Sequence, residues 1–400
     1  MLRSRKAFVC GCAVLALAWG AGADAPAPGR QETPAAERRD KSLLLESRAA
    51  ARRAMRYLAE AQQEDGSWRT DPAITALVVT AMLGTGQEEF GVRSDTVKHA
   101  LQYIRSFARP DGGIFDKFYP NYTTSICAMA LVEAGLAEDE ELLHGARQFL
   151  LGLQADEGEG IAGDNPDHGG WGYEKGDDKQ EGHRPDLSNT QMALEAVRAL
   201  EEAAEEDRPE ADEDKERTRT ELAYGMAIQY LMRCQNDDGG FIYRPDESKA
   251  GERPDGCLRS YGSMTYAGLK SMVHARLKPG DPRVRAAFEW ARAHWSVTEN
   301  PGLGQQGLYY YYQTMAKALR VYGQDVVVDA RGNRHDWRVE LVGQLLKVQH
   351  ADGSWVNENG RWMERIPELV TAYSLLAIGH ATQEWQSGSM TNEEIRMTNE

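Results

Sequence analysis

Three carboxylates and a run of four tyrosines are the side chains whose types and positions best suit chemistry. Asp71, Asp186 and Glu368 each stand close to the expected start of a helix. Two carboxylates about 5 to 10 Å apart can act as an acid and base pair on a sugar. A carboxylate at the start of a helix also caps the helix and interacts well with its dipole. Both interpretations stay open for all three residues.

The tyrosine run stands at positions 309 to 312, just before Gln313. Successive residues on a helix point about 100° apart, so about two of the four rings can face the same way. Such rings suit a flat apolar ligand, a cation or a sugar. The predicted ligand-contacting residues are Tyr309, Tyr310, Tyr311, Tyr312, Gln313, Tyr261, Asp71 and Trp171.

A recurring helix pair must position these side chains. Ala54, Tyr57, Leu58 and Ala61 have the i, i+3, i+4, i+7 spacing of an amphipathic helix. Gln62, the turn Asp65-Gly66 and Trp68 follow, and then a helix from Ala73 to Leu83 that is apolar on nearly every face. A helix of that kind is buried. Related pairs are predicted at about 47–86, 93–136, 141–200, 219–277, 281–323 and 336–380.

The second helix of every pair has a threonine near its start. These residues are Thr75, Thr124, Thr190, Thr265, Thr314 and Thr371. They could form a ring near one mouth of a cavity, or each hydroxyl could simply bond a carbonyl one turn back.

The order small residue, aromatic, aliphatic, Gln, Gly and Trp, as in Ala54 to Trp68, resembles the QW motif of squalene and hopene cyclases. Related helix pairs occur in the β subunits of protein prenyltransferases. The resemblance covers about residues 47–380 and implies an all-α fold, an α6/α6 toroid with six outer and six inner helices around a central cavity. An open helical solenoid is the alternative.

The cyclase resemblance also identifies catalytic candidates. Those enzymes carry Asp-x-Asp-Asp-Thr, and the middle aspartic acid protonates an alkene or epoxide. The matching residues here are Asp186, Ser188, Asn189 and Thr190, so a serine stands at the position of the proton donor. The resemblance therefore implies the fold without the cyclase reaction. The catalytic candidates are Asp186, Ser188, Asn189 and Glu368.

The prenyltransferase resemblance concerns zinc, which those proteins hold with an Asp-x-Cys pair and a histidine. Asp255 and Cys257 look like that pair, but Gln313 stands where the histidine should be. Glutamine is a poor zinc ligand. No metal or other cofactor is favoured, and zinc on Asp255 and Cys257 is the alternative.

The ends of the chain predict export. Basic residues precede an apolar run from Ala7 to Ala18, so residues 1–23 resemble a secretory signal peptide too short to span a membrane. Residues 24–46 are predicted to form a flexible leader and 383–400 a disordered tail. The three cysteines that remain after position 23 make no disulfide framework.

The formal net charge of −16 argues against nucleic acid as a partner. An acidic stretch at 201–217 is read as a solvated insertion. Three functions follow for an exported toroid. The first is binding or processing of an apolar, isoprenoid-like molecule or lipid, the second is a hydrolase or lyase reaction on a polysaccharide, and the third is a non-catalytic scaffold with an unknown protein partner.

Overall fold

A computed structural model describes residues 34–174, 184–204 and 210–388. Twelve α-helices lie within these ranges, and a two-stranded antiparallel hairpin, in which Val326 faces Asp336, precedes the eleventh helix. The helices are α1 Pro34–Ala61, α2 Pro72–Gly84, α3 Asp95–Arg105, α4 Pro120–Ala134, α5 Glu140–Leu151, α6 Leu187–Ala204, α7 Glu210–Cys234, α8 Gly262–His274, α9 Pro282–Ala293, α10 Leu308–Tyr322, α11 Trp337–Val348 and α12 Pro367–Gly388, and the strands are β1 Val326–Val328 and β2 Arg334–Asp336.

The six even-numbered helices form a closed inner ring. Each packs against the next even-numbered helix, and α12 packs against α2. The odd-numbered helices lie outside this ring, and there too the circle closes because α1 packs against α11. The molecule is therefore an α6/α6 toroid, as the sequence predicted, and the open solenoid is excluded.

Four glutamines join neighbouring helix pairs at their turns. The side-chain nitrogen of Gln62 donates to Gly66 O in its own turn and to Thr96 O at the start of the next outer helix, each at 2.9 Å. Gln154, Gln235 and Gln349 make the same two bonds in their own pairs. For Gln349 the second acceptor is Ala50 O in α1, so this bond helps to close the ring.

The turn aromatics and the threonines also belong to the wall. Trp171 is buried, its ring nitrogen donates to Leu150 O, and its backbone nitrogen donates to Thr190 Oγ1. Trp171 therefore packs in the wall, between the outer helix α5 and the start of the inner helix α6. Equivalent backbone bonds reach four further threonines, namely Thr75, Thr124, Thr265 and Thr371. These five threonines are thus hydrogen-bonding groups that join each turn to the first turns of an inner helix.

The first helix begins earlier than the sequence suggested. α1 starts at Pro34, so the part of the expected leader from 34 to 46 is helical, and Leu44 within it is buried. At the other end, α12 continues to Gly388, which makes the first residues of the expected tail helical as well. The signal-peptide segment 1–23 and the last residues, 389–400, lie outside the described ranges.

The acidic stretch 201–217 is not wholly a solvated insertion. Glu201 is buried, accepts a hydrogen bond from Tyr224 OH and pairs with Arg276 at 2.7 Å. α6 ends at Ala204 and α7 begins at Glu210, so both ends of the stretch are helical. Across the described residues, no helix combines the length and apolar character needed to cross a bilayer.

Candidate functional site

Residues at equal depth in the inner helices contact one another. Ser188, near the start of α6, contacts Tyr310, near the start of α10. Glu195 and Lys270 are the ninth residues of α6 and α8, and they form an ion pair. The inner helices therefore run parallel, and their N-terminal ends gather at one mouth of the toroid.

Tyr310 is the member of the tyrosine run that reaches the axis. Its hydroxyl lies 2.5 Å from Gln191 Nε2, which donates to it, and 3.3 Å from Ser188 Oγ. Tyr311 and Tyr312 instead donate to Ser296 O and Val297 O, in the loop that precedes α10, at 2.7 Å each.

The remaining tyrosine of the run, Tyr309, and two further ligand candidates are also buried. Tyr309 packs edge-on against Tyr312, whereas Tyr310 contacts Ser188 and Gln191 in α6. Gln313 bonds its own neighbour Thr314 at 3.0 Å. Tyr261 is buried at the start of α8, where burial and the nearby Tyr310 raise its pKa well above the ordinary value.

Asp186 caps α6, which was the simpler of its two interpretations. One carboxylate oxygen accepts the backbone N–H of Asn189 at 2.9 Å and the other accepts the side chain of Asn189 at 2.8 Å. Tyr243 lies close enough to this carboxylate to lower its pKa. Asp186 is 2% exposed, and burial raises its pKa to about 6 in spite of these donors.

The other two predicted carboxylates also have local partners. Asp71 caps α2 by accepting the backbone N–H groups of Ala73 and Ile74 at 2.8 and 2.9 Å. Glu368 forms an ion pair of 3.1 Å with Arg69, which joins the last inner helix to the loop before the first. Each carboxylate thus serves a different helix end, an arrangement that gives no support to an acid and base pair.

Asp255 and Cys257 lie in an exposed turn, where the Asp255 carboxylate accepts the Cys257 backbone N–H at 3.0 Å. Gln313 does not belong to that turn, because it lies among the buried residues of α10. Over the ranges 34–174, 184–204 and 210–388, no three or more His, Cys, Asp or Glu side chains are grouped so as to hold a metal ion.

Six aromatic residues form a continuous path from the surface to the axis, which we call the aromatic track. Its outer end is Phe118, 67% exposed, followed by Tyr119, 53% exposed, with ring centroids 6.3 Å apart. Tyr119 meets Tyr173 edge-on at 5.0 Å, and Tyr173 lies 6.4 Å from Tyr122. Tyr373 influences the pKa of Tyr122 and is therefore its neighbour, and the Tyr373 ring lies 6.1 Å from that of Tyr310.

Sequence reasoning found Tyr310 but missed the rest of the track. Tyr122 and Tyr373 each lie two residues from a recurring threonine, on opposite sides of it, and this proximity was the available signal. Tyr119 has a positive φ of 58°, a conformation that costs a non-glycine residue energy and is concentrated at functional segments.

Glu364 is a second group that sequence reasoning missed. It is fully buried, accepts the backbone N–H of Tyr310 at 2.8 Å and accepts the side chain of Asn357 at 2.6 Å. It therefore caps α10 from the loop of the next helix pair. Burial raises its pKa from 4.5 to about 7.

No protein-family model and no curated protein matches this chain. Solved structures do match, and several are forms of the type II terpene cyclase MstE from Scytonema. One, in complex with the substrate geranylgeranyl dihydroxybenzoate, shares 15% sequence identity with a TM-score of 0.53 and covers 86% of this chain and 99% of that chain. The ligand-free enzyme shares 14% identity with a TM-score of 0.53 over 85% of this chain and 99% of that chain.

These comparisons confirm the predicted resemblance at the level of the fold. The whole length of the terpene cyclase is matched, so the toroid here is the same architecture and not a fragment of it. At such low identity the likeness concerns the fold alone, because one fold can carry unrelated activities.

Proposed function

We propose that this protein binds an apolar, isoprenoid-like ligand at the mouth formed by the N-terminal ends of the inner helices. The observation that carries the proposal is the aromatic track. It offers apolar ring faces from the exposed Phe118 to the axis, and its inner end offers the hydroxyl of Tyr310. Ring faces beside a few placed polar groups are the usual lining of a small-molecule site. The matched terpene cyclase with its geranylgeranyl substrate supports this ligand class.

The inner end of the track argues for binding rather than proton-initiated cyclisation. Asp186 is the aspartate of the cyclase motif that this chain retains, and its pKa of about 6 makes it a weak acid. Protonating an alkene requires a much stronger one, since the proton-transfer driving force falls as the pKa of the donor rises. Ser188 stands at the motif position of the proton donor, and it offers only a hydroxyl.

The test is native mass spectrometry of protein purified from its own host, followed by titration with geranylgeraniol. We expect a lipid-sized mass on the purified protein and saturable binding of the alcohol. Replacing Tyr119 with Asn, which tolerates a positive φ, removes a ring from the track. This variant should bind about tenfold more weakly, a loss of ~1.4 kcal/mol.

Tyr103→Ala is the matched control, because Tyr103 packs edge-on against Phe107 at the end of an outer helix and away from the track. It should leave the affinity unchanged. A purified protein without any ligand mass, together with a flat titration, would show that the proposal is wrong.

A non-catalytic scaffold is the second candidate, and one observation favours it. The axis is bridged by side chains, since Tyr310 joins Ser188 and Gln191, while Glu195 joins Lys270 and Lys317. A flat titration with a stable, folded protein would favour this function. We also propose export, supported by the signal-like residues 1–23. The mass of the mature protein should then correspond to a chain that begins at Asp24.

A further inference from the structure

The C-terminal half of the inner ring contains a group of charged side chains that the proposed function does not use. Glu195 of α6 is buried and pairs with two lysines, Lys270 of α8 and Lys317 of α10. Lys270 is 1% exposed, and desolvation lowers its pKa. Two ammonium groups therefore share one carboxylate, so this group of three side chains has one counterion fewer than it has lysines.

Solvent reaches this group from the C-terminal mouth. The Lys317 side chain is 24% exposed. Glu133, next to last in α4, is exposed, yet burial is the main effect on its pKa, which is raised. The charges of Lys317 and Arg320 also act on Glu133, so these three side chains are neighbours. We call the group Glu195, Lys270, Lys317, Glu133, Arg320, His274 and His380 the basic basin.

The basic basin carries a local excess of positive charge. Among the side chains that the structure describes there, three cations, Lys270, Lys317 and Arg320, accompany two carboxylates, Glu195 and Glu133, which leaves one positive charge in excess. The neighbouring Arg198 is balanced by its own ion pairs with Glu201 and Glu202. The whole chain, in contrast, has a formal net charge of −16. An unbalanced cation in a desolvated site is costly, and a bound anion would remove that cost.

Burial lowers the pKa of both histidines of the basin, and their ring nitrogens are the remaining polar atoms there. Arg320 donates to His380 Nδ1 at 3.2 Å, so the ring carries its proton on Nε2 and can donate there. Burial lowers the pKa of His274 to about 3. Its Nε2 is buried and has no hydrogen-bond partner among the residues that the structure describes. A buried polar atom without a partner is rare and points to a missing ligand or water.

We propose that the basic basin binds an oxyanion, the carboxylate or phosphate group of a small molecule, at the C-terminal mouth of the toroid. Lys317 and Arg320 supply the charge, and His380 Nε2–H supplies a directed donor. This site lies at the opposite end of the inner helices from the aromatic track, so it does not depend on the proposed function.

The test is isothermal titration of the full protein with inorganic phosphate and, separately, with succinate, at constant ionic strength. We expect saturable binding of at least one anion, and the stronger of the two identifies the ligand as phosphate-bearing or carboxylate-bearing. Lys317→Gln should weaken that binding at least ~10-fold, because it removes the accessible ammonium group. Glu133→Gln should tighten it ~3-fold, because it removes a repelling charge.

Lys347→Gln is the control, since Lys347 is exposed on the outer helix α11, and it should bind as the unaltered protein does. Opposite effects at Lys317 and Glu133 distinguish this site from nonspecific ion binding. If circular dichroism shows that Lys317→Gln does not fold, the anion titration of Glu133→Gln alone decides whether the site exists. Absence of saturable binding, or an affinity that neither variant changes, overturns the proposal.

Discussion

The wall and the axis of this toroid are built from the same helices in different ways. In the wall the same contacts recur, with four glutamines joining neighbouring pairs and five threonines accepting a backbone N–H from the turn. Along the axis each inner helix contributes something different, such as Gln191, Lys270 or Tyr310. Repeated contacts hold the ring together, and unrepeated ones give it a particular interior.

The difference shows which part of the molecule can change without loss of the fold. A wall contact has close equivalents in other helix pairs, so each is one of several similar contributions to stability. An axis contact has no equivalent, and its loss leaves charged or polar groups buried without partners.

The largest effect should come from Glu195→Gln, which removes the carboxylate shared by Lys270 and Lys317. Breaking a buried ion pair by removing one partner costs about 3–5 kcal/mol in unfolding free energy. Urea denaturation measures this cost. The control Glu202→Gln disrupts a more exposed ion pair with Arg198 and should cost less than about 1 kcal/mol. Equal costs for the two variants would mean that the axis charges are no more important than those at the surface.

A second prediction concerns the pH dependence that Glu364 confers. Its pKa is about 7 in the folded state and 4.5 ordinarily, so the folded state binds more protons between these values. The stability contributed by this group is therefore complete below about pH 4.5 and is lost as the pH rises through 7, by about 3 kcal/mol in total.

The measurement compares the native protein with Glu364→Gln, which removes the titrating group. The unfolding free energy of the native protein minus that of the variant should fall between about pH 4 and about pH 8. A difference that stays level or rises with pH would show that the helix cap stabilises the ionised carboxylate more than burial opposes it.

A third prediction tests the close contacts of the wall. Gly239 has a φ of 84°, and a Cβ placed there would lie 2.4 Å from Ala286 O in α9. Gly256 has a nearly equal φ of 82° but no atom within 4 Å of such a Cβ. Gly239→Ala should therefore lower the unfolding free energy by about 1–3 kcal/mol more than Gly256→Ala does. Similar losses in thermal or urea denaturation would mean that the wall can relax around the added methyl group.

The smallest effect should come from Thr124→Val, which removes the acceptor for the backbone N–H of Ile114. We expect a loss of about 1 kcal/mol, the net value of a typical hydrogen bond. Thr80→Val is the matched control, because Thr80 Oγ1 only donates to Ala76 O within its own helix. If both variants unfold at the same urea concentration, the recurring threonines are not needed to join turn and helix.

Much of the wall followed from the sequence, because a repeated pattern can be recognised from several copies. Trp68 and Trp355 each recur seven residues or fewer after a glutamine, and the structure gives both the same bond to a leucine carbonyl. Export, the leader before position 34 and zinc at Asp255 and Cys257 stay predictions, since no observation here tests them.

The candidate site was predicted only in part. Asp186, Ser188 and Tyr310 do meet near the axis, but Trp171, Tyr311 and Tyr312 bond to groups in the wall and the surrounding loops. The sequence offered no way to choose among four consecutive tyrosines, because their directions depend on where α10 begins and how it is rotated. Its start is set by Glu364, which lies 54 residues from Tyr310 in the chain.

The sequence by itself determined the helix pairs and their number, because amphipathic spacing and turn chemistry act over a few residues and were repeated, and the family resemblance implied that the ring closes. The tertiary structure alone decided which side chains meet at the centre. Tyr122, Tyr173, Tyr310 and Tyr373 come from four separate segments, and so do the charged groups of the basic basin. Their meeting depends on the rotation and depth of each inner helix, which are fixed only when all six pack against one another.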